Sequence, residues 1–430
     1  MSRHRIVRRS EIARTARVKQ LEGMFDLPPS KRAELTWDVS LPIEDKPWQI
    51  GLIHGPSGCG KSTIAREVFG DKLIAGFPWT TGRTVIDDFP ENLPVKEVTG
   101  LLSAVGFSSP PAWLRPFSAL SNGEQFRVTL ARALAESPDL AVIDEFTSVV
   151  DRTVAKIGSA AVSKAIRSRP NVKFVAVACH DDIVNWLQPD WTFEPHTGAF
   201  HWRSLQQRPA IELQVRRVSS RHWREFAHHH YLTASLMTGA ECYLATVEGR
   251  PAAFAGIITN ASEGCWRESR IVCLPDFQGI GIGNKFSEFL GSVYRGCGCR
   301  YMSKTGHPAM IRHRYKSTVW RVITRLSAMT PRPGPKQRAT RKTARGRSTA
   351  GFEYTGPALA PALAKAIRRV DLTEYVRERP NRTADRYAEL AGVSTNIFRR
   401  WADEEIARGR VIRSGSGRGI DRTTYRLADG

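Results

Sequence analysis

The chain has 430 residues, 41% of them apolar, and its 64 Lys and Arg residues outnumber 42 Asp and Glu residues to give a net charge of +22. This length exceeds one ordinary domain, so two or three domains with their own cores are expected. The charge favours a polyanionic partner, nucleic acid ahead of an anionic membrane surface. With no apolar run of about 18 residues, the sequence predicts no membrane-spanning helix and no membrane partner.

The cysteines and the N-terminus bear on where the protein works. Seven cysteines are scattered along the chain and form no CxxC pair. This usage is typical of reduced thiols and argues against a disulfide framework or a cysteine zinc site. Residues 1–30 are basic but have no apolar segment behind them, so they are not a secretory signal. We therefore predict a cytoplasmic protein that begins with a basic lead-in.

Residues 31–205 alternate apolar strands with helical patterns, which predicts an α/β domain with a mostly parallel sheet. Its glycine loop, GPSGCGKS, matches GxxxxGK[ST] and stands between the strand IGLIH and a helix. In such a loop backbone N–H groups face the phosphates of ATP, Lys61 reaches the β and γ phosphates, and the Ser62 hydroxyl ligates Mg²⁺. The predicted ATP-binding residues of the loop are Gly55, Pro56, Ser57, Gly58, Cys59, Gly60, Lys61, Ser62 and Thr63.

Four further segments follow in a fixed order. The strand LAVIDEF ends in Asp144, a predicted Mg²⁺ ligand with Ser62, and Glu145, predicted to polarise the attacking water. LSNGEQ precedes that strand, while TSVVD, ending in Asp151, and VAVACH, ending in His180, come after it. Together with the glycine loop, these segments resemble the motifs of ABC-type ATPases.

The resemblance implies further roles and a homodimer that forms when ATP is bound. In the family, ATP lies between the Lys61-type loop of one subunit and the signature residues of the other. The residues so implied are Ser121, Gly123 and Glu124 in the signature, Asp151 in the D-loop and the catalytic switch histidine His180. Trp37 is a candidate for stacking on adenine, or equally a core tryptophan.

The sequence departs from the family pattern in two places. Asn122 and Glu124 stand where Gly and Gln are usual. No glutamine lies between Gln49 and Gln125, so Asp87 or its neighbour Asp88 is assigned to the Q-loop position. Only about sixty residues separate Lys61 from Ser121, which is short for the helical subdomain of a transporter-type ATPase. In the family, the Q-loop and this subdomain normally meet the membrane partner. The missing glutamine and the short subdomain therefore favour an ABC-type ATPase outside a transporter. A transporter subunit remains an alternative.

Residues 211–357 mix strands and helices around a second glycine loop, QGIGIG (278–283), which precedes a predicted helix. A dinucleotide loop is disfavoured because the strand comes late and no βαβ unit with an acidic residue follows; a plain glycine turn is the other alternative. The loop resembles [QR]xxGx[GA] of the GNAT acyltransferase superfamily, an α+β fold whose loop binds the diphosphate of an acyl-CoA. The resemblance implies acetyl-CoA or a related donor, held by Gln278, Gly279, Gly281, Gly283 and Asn284.

Three segments narrow that resemblance. HYLTAS (230–235), LPDFQGIGIG and SKTGHPAM (303–310) resemble the Mom-type proteins of phages, which add a carbamoylmethyl-type group to adenine in DNA. The resemblance implies Tyr231, Ser303 and His307 as catalytic candidates, since a phenol, a hydroxyl and an imidazole can transfer protons or orient an amine. Each also has an ordinary alternative, as a core aromatic or as a residue at a strand end or helix cap.

The C-terminal part carries the remaining basic features. Residues 331–350 are rich in Lys and Arg without an acid and predict a flexible basic loop. Residues 361–430 follow the plan of a winged helix, whose second helix suits the DNA major groove and whose wing suits phosphates. The predicted nucleic-acid contacts are Arg399 and Arg400 on that helix and Arg413, Arg418 and Arg422 in the wing. A winged helix that contacts only protein is the alternative.

These segments together predict an ABC-type ATPase fused to a GNAT-like acyltransferase and a winged helix, acting on DNA bases. One alternative is an ATP-dependent DNA-bound switch, such as a repair or segregation factor, with a non-catalytic GNAT module. Another is a small-molecule or protein N-acetyltransferase that needs no DNA.

Overall fold

The computed structural model describes residues 2–29, 32–203, 207–230, 235–328, 348–378, 380–391, 393, 395–408, 410–414 and 424–428. The chain forms two compact units, the first from Met1–Phe107 and Arg115–Pro209 and the second from Ser108–Leu114 and Ala210–Gly430. Among the sequence predictions, Tyr231, Arg418, Arg422 and residues 331–347 of the basic loop lie outside the described residues. None of the helices in the described ranges is both long and apolar enough to cross a membrane.

The first unit is a mixed α/β structure, as predicted. Its strands are β1 (Ser2–Glu11), β2 (Arg32–Leu41), β3 (Ile50–His54), β4 (Leu73–Ile74), β5 (Leu140–Ile143), β6 (Lys173–Ala178), β7 (Trp191–Glu194) and β8 (Ala199–Trp202). Its helices are α1 (Ala16–Met24), α2 (Lys61–Phe69), α3 (Val95–Ala104), α5 (Asn122–Glu136), α6 (Arg152–Arg167) and α7 (Val184–Leu187), while α4 (Pro110–Trp113) lies in the segment that belongs to the second unit.

A six-stranded sheet with the order β4-β5-β6-β3-β7-β8 is the centre of the first unit. All of its pairings are parallel except β7 with β8. Ile53, Val142 and Val175 pack with Ile64 of α2 in the core. Strands buried in this way read as continuous apolar runs, which is why the sequence revealed them. The carboxyl ends of β3 and β5 lead into the glycine loop and into Asp144 respectively.

Residues 1–30 form part of the first unit rather than a separate lead-in. Strand β1 pairs with β2 in antiparallel register over its whole length, and α1 lies between the two strands in sequence. Ile6, Val39 and Leu41 are buried, whereas most of the other side chains of the hairpin are exposed. A strand with so few buried positions and so many arginines has no apolar alternation, so its pattern predicted no strand.

The second unit contains a seven-stranded sheet with the order β14-β15-β13-β12-β11-β10-β9. These strands are β9 (Gln214–Val218), β10 (Glu241–Val247), β11 (Arg250–Asn260), β12 (Cys265–Cys273), β13 (Arg300–Thr305), β14 (Trp320–Ala328) and β15 (Ser348–Tyr354). The helices that accompany this sheet are α8 (Trp223–Phe226), α9 (Ile282–Gly296), α10 (Pro308–Lys316) and α11 (Pro361–Arg368).

The pairing of β12 with β13 is the one parallel pairing between described strands of this sheet. It extends from Cys265 opposite Arg300 to Glu268 opposite Ser303, although β12 continues to Cys273. The far part of β12 therefore leaves the parallel ladder before it reaches the second glycine loop, and α9 begins directly after that loop.

The C-terminal helices α12 (Leu372–Glu378), α13 (Ala384–Ala391) and α14 (Thr395–Ala407) pack with a small sheet of β16 (Arg382–Thr383), β17 (Val411–Ser414) and β18 (Thr424–Leu427). The order of the small sheet is β16-β18-β17. Tyr387 stacks on Phe398 with ring centroids 5.3 Å apart, and Tyr425 meets the Phe398 ring edge-on at 5.4 Å. These aromatic contacts fix α13 and α14 against the strands.

A buried ion-pair network joins this C-terminal part to the seven-stranded sheet. Glu241 of β10 accepts hydrogen bonds from Arg368 at 2.9 Å and pairs with Arg217 at 3.5 Å. Arg217, which is also buried, donates to the carbonyls of Arg368 and Ala391. The arginines keep the pKa of Glu241 low, although burial opposes them. Because a buried charge left without its partner is strongly destabilising, the network ties α11 and the end of α13 to the sheet.

Candidate functional site

The first glycine loop connects β3 to α2 and ends in Gly60, the N-cap of α2. Gly60 has a left-handed backbone, with φ 95° and ψ 10°, and no side chain caps the helix. A Cβ atom on Gly60 would lie 2.4 Å from the ring of Trp37. Both the backbone and the close ring therefore require glycine. The first N–H groups of α2 remain available to an anion, which is the property of a phosphate-binding loop.

Lys61 holds its ammonium group against the loop. Its side chain is buried, and Nζ donates to the carbonyl oxygens of Gly55 at 2.9 Å and Pro56 at 2.8 Å. The indole Nε1 of Trp37 donates to the carbonyl of Cys59 at 2.9 Å. These bonds hold the positive charge of Lys61 beside the N-terminus of α2. The ammonium group and the helix N-terminus both attract phosphate oxygens.

Ser62 and Asp144 form the polar pair next to the loop. The Ser62 hydroxyl donates to Oδ1 of Asp144 at 2.9 Å, and the same oxygen accepts the backbone N–H of Glu145 at 2.9 Å. Hydroxyl and carboxylate oxygens are the ligands that Mg²⁺ prefers, so this pair fits the metal. Glu145 and Thr147 have left-handed φ values of 49° and 69°. Strained backbone of this kind persists only where the surrounding structure holds it in place, and it is found most often at functional sites.

A cavity of about 270 Å³ brings these groups together. Its lining residues are Leu35, Trp37, Ser57, Gly58, Gly60, Lys61, Ser62, Thr63, Asp144, Glu145, Val177 and Cys179. Sequence reasoning found the loop and the acidic pair, and it offered Trp37 as a candidate. It missed Leu35, because the β1–β2 hairpin was not predicted, and it missed Cys179, although a position directly after a buried strand is a usable signal.

The signature residues do not line this cavity in the described part of the chain. Ser121 is the N-cap of α5, and its hydroxyl accepts the N–H of Glu124 at 3.3 Å. The Glu124 carboxylate in turn accepts the N–H of Ser121 at 3.0 Å. Glutamate and glutamine can both make such a capping box, so Glu124 preserves this cap at the position where glutamine is usual. Gly123, in the first turn of α5, is buried.

The remaining predicted ATPase residues also lie outside the cavity lining. Asp87 is exposed and accepts the Thr84 hydroxyl at 2.6 Å. Asp151 is the N-cap of α6 and accepts the N–H groups of Thr153 and Val154. His180 is exposed after β6. Their proposed roles in ATP binding or hydrolysis remain predictions.

The geometry of the loop, the fixed lysine and the Ser62–Asp144 pair define an ATP-binding site. No family model matches the sequence. A zinc import ATP-binding protein of Pseudomonas aeruginosa is 36% identical over 134 residues, covering 26% of this chain and 49% of the relative. A molybdenum import ATP-binding protein of Rhodobacter capsulatus is 31% identical over 157 residues, covering 28% and 42%.

The chain thus spans about half the length of these curated relatives, and the matches support an ABC-type ATP-binding domain. Among solved structures, an ATP-binding cassette of an ABC transporter in its ADP conformation matches 40% of this chain and 82% of its own. The sequence identity is 16% and the TM-score is 0.28.

The second glycine loop precedes α9 and ends in the same way as the first. Gly281 is the N-cap of α9, with φ 100° and ψ 9°, and no side chain caps the helix. The Gln278 side chain donates to the Cys273 carbonyl at 2.8 Å and accepts the Ser108 N–H at 2.7 Å. In the first turn of α9, the side-chain oxygen of Asn284 is buried without a hydrogen-bond partner among the described residues. The loop therefore offers N–H groups at a helix N-terminus to an anion.

His307 and Ser303 have different surroundings. Nε2 of His307 donates to the Ser108 carbonyl at 2.9 Å. Burial lowers the pKa of His307, and this hydrogen bond works in the opposite direction. The Ser303 hydroxyl accepts from Arg314, which is buried and pairs with Glu268 at 3.0 Å. Ser303 is thus part of a buried ion-pair network in which it stabilises the fold, and its catalytic role is untested.

The candidate nucleic-acid residues that the structure describes lie near the end of the chain. Arg399 and Arg400 are exposed on α14. Arg413 of β17 is exposed and pairs with Asp403 at 3.2 Å. An exposed pair of this kind contributes about 0–1 kcal/mol, so it does not prevent Arg413 from contacting a phosphate.

Proposed function

We propose that the chain couples an ATP-hydrolysing domain to an acyl-transfer unit that modifies bases in DNA. The observation that carries the proposal is the second glycine loop, which ends at the N-terminus of α9. The loop follows the part of β12 beyond Glu268, which is no longer paired with β13. A diphosphate binds at such a helix end, and an extended pantetheine chain fits along the edge of β12 that the described strands leave unpaired beyond Glu268. The sheet order, with a single parallel pairing, supports the acyl-CoA interpretation of the resemblance.

ATP is proposed to bind in the cavity of the first unit. Lys61 neutralises the β and γ phosphates, Ser62 and Asp144 hold Mg²⁺, and Glu145 orients the attacking water. Bound Mg²⁺ would neutralise charge that develops on the phosphates. Because Ser121 does not line the cavity among the described residues, a second copy of the chain is proposed to supply its signature segment to complete the site.

In the second unit, Gln278, the glycines after it and Asn284 are proposed to hold the acyl-CoA. Burial lowers the pKa of His307 and so favours the neutral imidazole, which is suited to accept a proton from an attacking exocyclic amine. Tyr231 remains a second candidate for this proton transfer. Arg399 and Arg400 on α14 are proposed to contact DNA, in keeping with the net charge of +22.

The test is nucleoside analysis by mass spectrometry of DNA from cells that express the full chain. The wild type is expected to produce a new nucleoside mass, and Gly281→Glu, which puts a carboxylate at the anion site, is expected to abolish it. Gly264→Glu is the matched control, since Gly264 also has positive φ and open space around a Cβ but lies away from the loop. Unmodified DNA in wild-type cells would contradict base modification and favour the ATP-dependent DNA-binding switch.

A further inference from the structure

A seven-residue segment from the middle of the first unit's sequence, Ser108–Leu114, belongs to the second unit. It contains the short helix α4, in which Ala112 and Trp113 are buried. Phe107 and Arg115, on either side of it, belong to the first unit. The chain therefore leaves the ATP-binding unit and returns to it just before the signature segment.

Within the second unit, one residue of this segment contacts two proposed site residues. The Ser108 N–H donates to Oε1 of Gln278 at 2.7 Å, and the Ser108 carbonyl accepts from Nε2 of His307 at 2.9 Å. Both contacts use the peptide groups of Ser108 rather than its side chain. In this arrangement, the side chain that begins the second glycine loop and the candidate base are both hydrogen-bonded to the segment.

Within the first unit, helix α5 holds the chain on both sides of the segment. The buried Arg127 donates to the Val105 carbonyl at 3.1 Å, ahead of the segment. Gln125 donates to the carbonyls of Phe117 at 3.1 Å and Leu120 at 3.2 Å, after the segment. The same helix begins at the signature segment, so a displacement of its N-terminus reaches both flanks.

Aromatic packing strengthens the second flank. The ring of Phe117 stacks on Trp79 with centroids 4.5 Å apart, and the guanidinium of Arg132, also on α5, lies 4.8 Å from the Trp79 ring. The Arg115 carbonyl accepts the Val85 N–H at 3.0 Å. These contacts leave the flank little freedom to move independently of α5.

We propose that Ser108–Leu114 is an autoinhibitory coupling segment through which nucleotide binding controls the second glycine loop. When ATP and a second copy engage the signature segment, α5 shifts and draws Ser108 away from Gln278 and His307. The two side chains then become available to acyl-CoA and to the acceptor. This inference rests on the proposed function for the ATP-dependent second copy and for the identity of the ligand, whereas the contacts of Ser108 are independent of it. A ligand shifts a conformational equilibrium only if it binds one state better than the other. Here ATP binds better to the state in which Ser108 has no hydrogen bonds to Gln278 and His307.

The test uses hydrogen–deuterium exchange of the full chain carrying Glu145→Gln, which slows hydrolysis so that ATP stays bound. ATP is expected to increase exchange about five-fold or more in residues 273–284 and 303–312. Ser108→Pro removes the N–H donor to Gln278 and should show high exchange in these residues without ATP, with no further response. Ser108→Ala, the matched control, keeps both peptide contacts and should respond as the parent does.

No response to ATP in these residues, or a full response in Ser108→Pro, would overturn the proposal. If Ser108→Pro does not fold, Gln125→Ala decides, because losing the bonds to Phe117 and Leu120 should weaken the response, and an unchanged response would contradict coupling. Coenzyme A binding by calorimetry separates the two proposals. An exchange response to ATP without coenzyme A binding would support the coupling segment and contradict the acyl-CoA site. Coenzyme A binding that does not depend on ATP, without an exchange response, would support the acyl-CoA site and contradict the coupling.

Discussion

The two glycine loops end in nearly the same backbone but continue with different side chains. Gly60 has φ 95° and ψ 10°, Gly281 has φ 100° and ψ 9°, and both are helix N-caps without a side-chain cap. Lys61 follows the first, whereas Ile282 follows the second. The backbone of both loops can bind an anion, and the residues that follow differ: a cation and a hydroxyl follow the first glycine, whereas apolar and small residues follow the second.

The loops differ also in what lies over them. The Trp37 ring lies so close to Gly60 that a Cβ there would clash, while a Cβ on Gly281 would meet nothing within 4 Å. The first loop is therefore restricted by a neighbouring side chain as well as by its backbone conformation. At Gly281 only the backbone conformation restricts the residue type.

The largest effect is expected from Lys61→Ala, which removes the feature that the second loop lacks. ATP hydrolysis should fall about 100-fold or more, as when one preorganised group that stabilises the transition state is lost. Phosphate release measures hydrolysis, and sedimentation with ATP measures dimer formation, which should disappear. The matched control is Lys72→Ala, at an exposed lysine of the same unit. Wild-type hydrolysis in Lys61→Ala would show that the two loops do not differ as described.

An intermediate effect is expected when alanine replaces each N-cap glycine. Gly281→Ala should cost about 1–2 kcal/mol of unfolding free energy, because an L-residue is strained at its φ. Gly60→Ala should cost about 1–3 kcal/mol more, since its Cβ also collides with Trp37. Denaturant unfolding measures both, and Gly264→Ala, with φ 58° and open space, reports the backbone cost alone. Equal costs at Gly60 and Gly264 would mean that the ring adds no restriction.

The smallest effect concerns the histidines next to each loop. Burial lowers the pKa of His54, which precedes Gly55, against the opposing charge of Glu194, and burial likewise lowers the pKa of His307. The unfolded chain, with histidine pKa near 6.5, then binds more protons than the folded chain. Stability is therefore complete above about pH 6.5 and declines as the pH falls below it.

Thermal unfolding at pH 7.5 and pH 5.5 measures this decline. His54→Gln and His307→Gln should each reduce the loss of melting temperature in their own unit by about 2–4 °C. His228→Gln serves as the control at a histidine that is exposed. An undiminished loss in His307→Gln would indicate that this imidazole is protonated in the folded protein.

The sequence could predict what short local patterns encode. The first loop, its lysine and Asp144 were predicted because a strand, a glycine turn and a helix are contiguous, and the structure brings Ser62 and Asp144 within a hydrogen bond. A mixture of strands and helices in residues 211–357 was also predicted, and the structure contains one there. Its assignment to the GNAT superfamily stays a prediction.

What the sequence could not predict depends on contacts distant along the chain. Strand β1 has too few buried apolar residues to show alternation, although β2 alternates apolar and polar residues along its length. The peptide groups of Ser108 carry no side-chain signal, so their contacts with Gln278 and His307 were invisible. The ion pair of Arg314 with Glu268, and the hydrogen bond from Arg314 to the Ser303 hydroxyl, were likewise not predicted, and a catalytic role for Ser303 stays a prediction.

Ser108–Leu114 also bears on whether either unit could be exchanged alone. A fusion of two genes end to end joins domains at one point, whereas here seven residues encoded within one unit complete the other. Recombination that exchanged either unit alone would bring a foreign segment against Gln278 and His307, or leave those residues without their partner. Exchange of either unit alone is therefore expected to disturb the hydrogen bonds that Ser108 makes to Gln278 and His307.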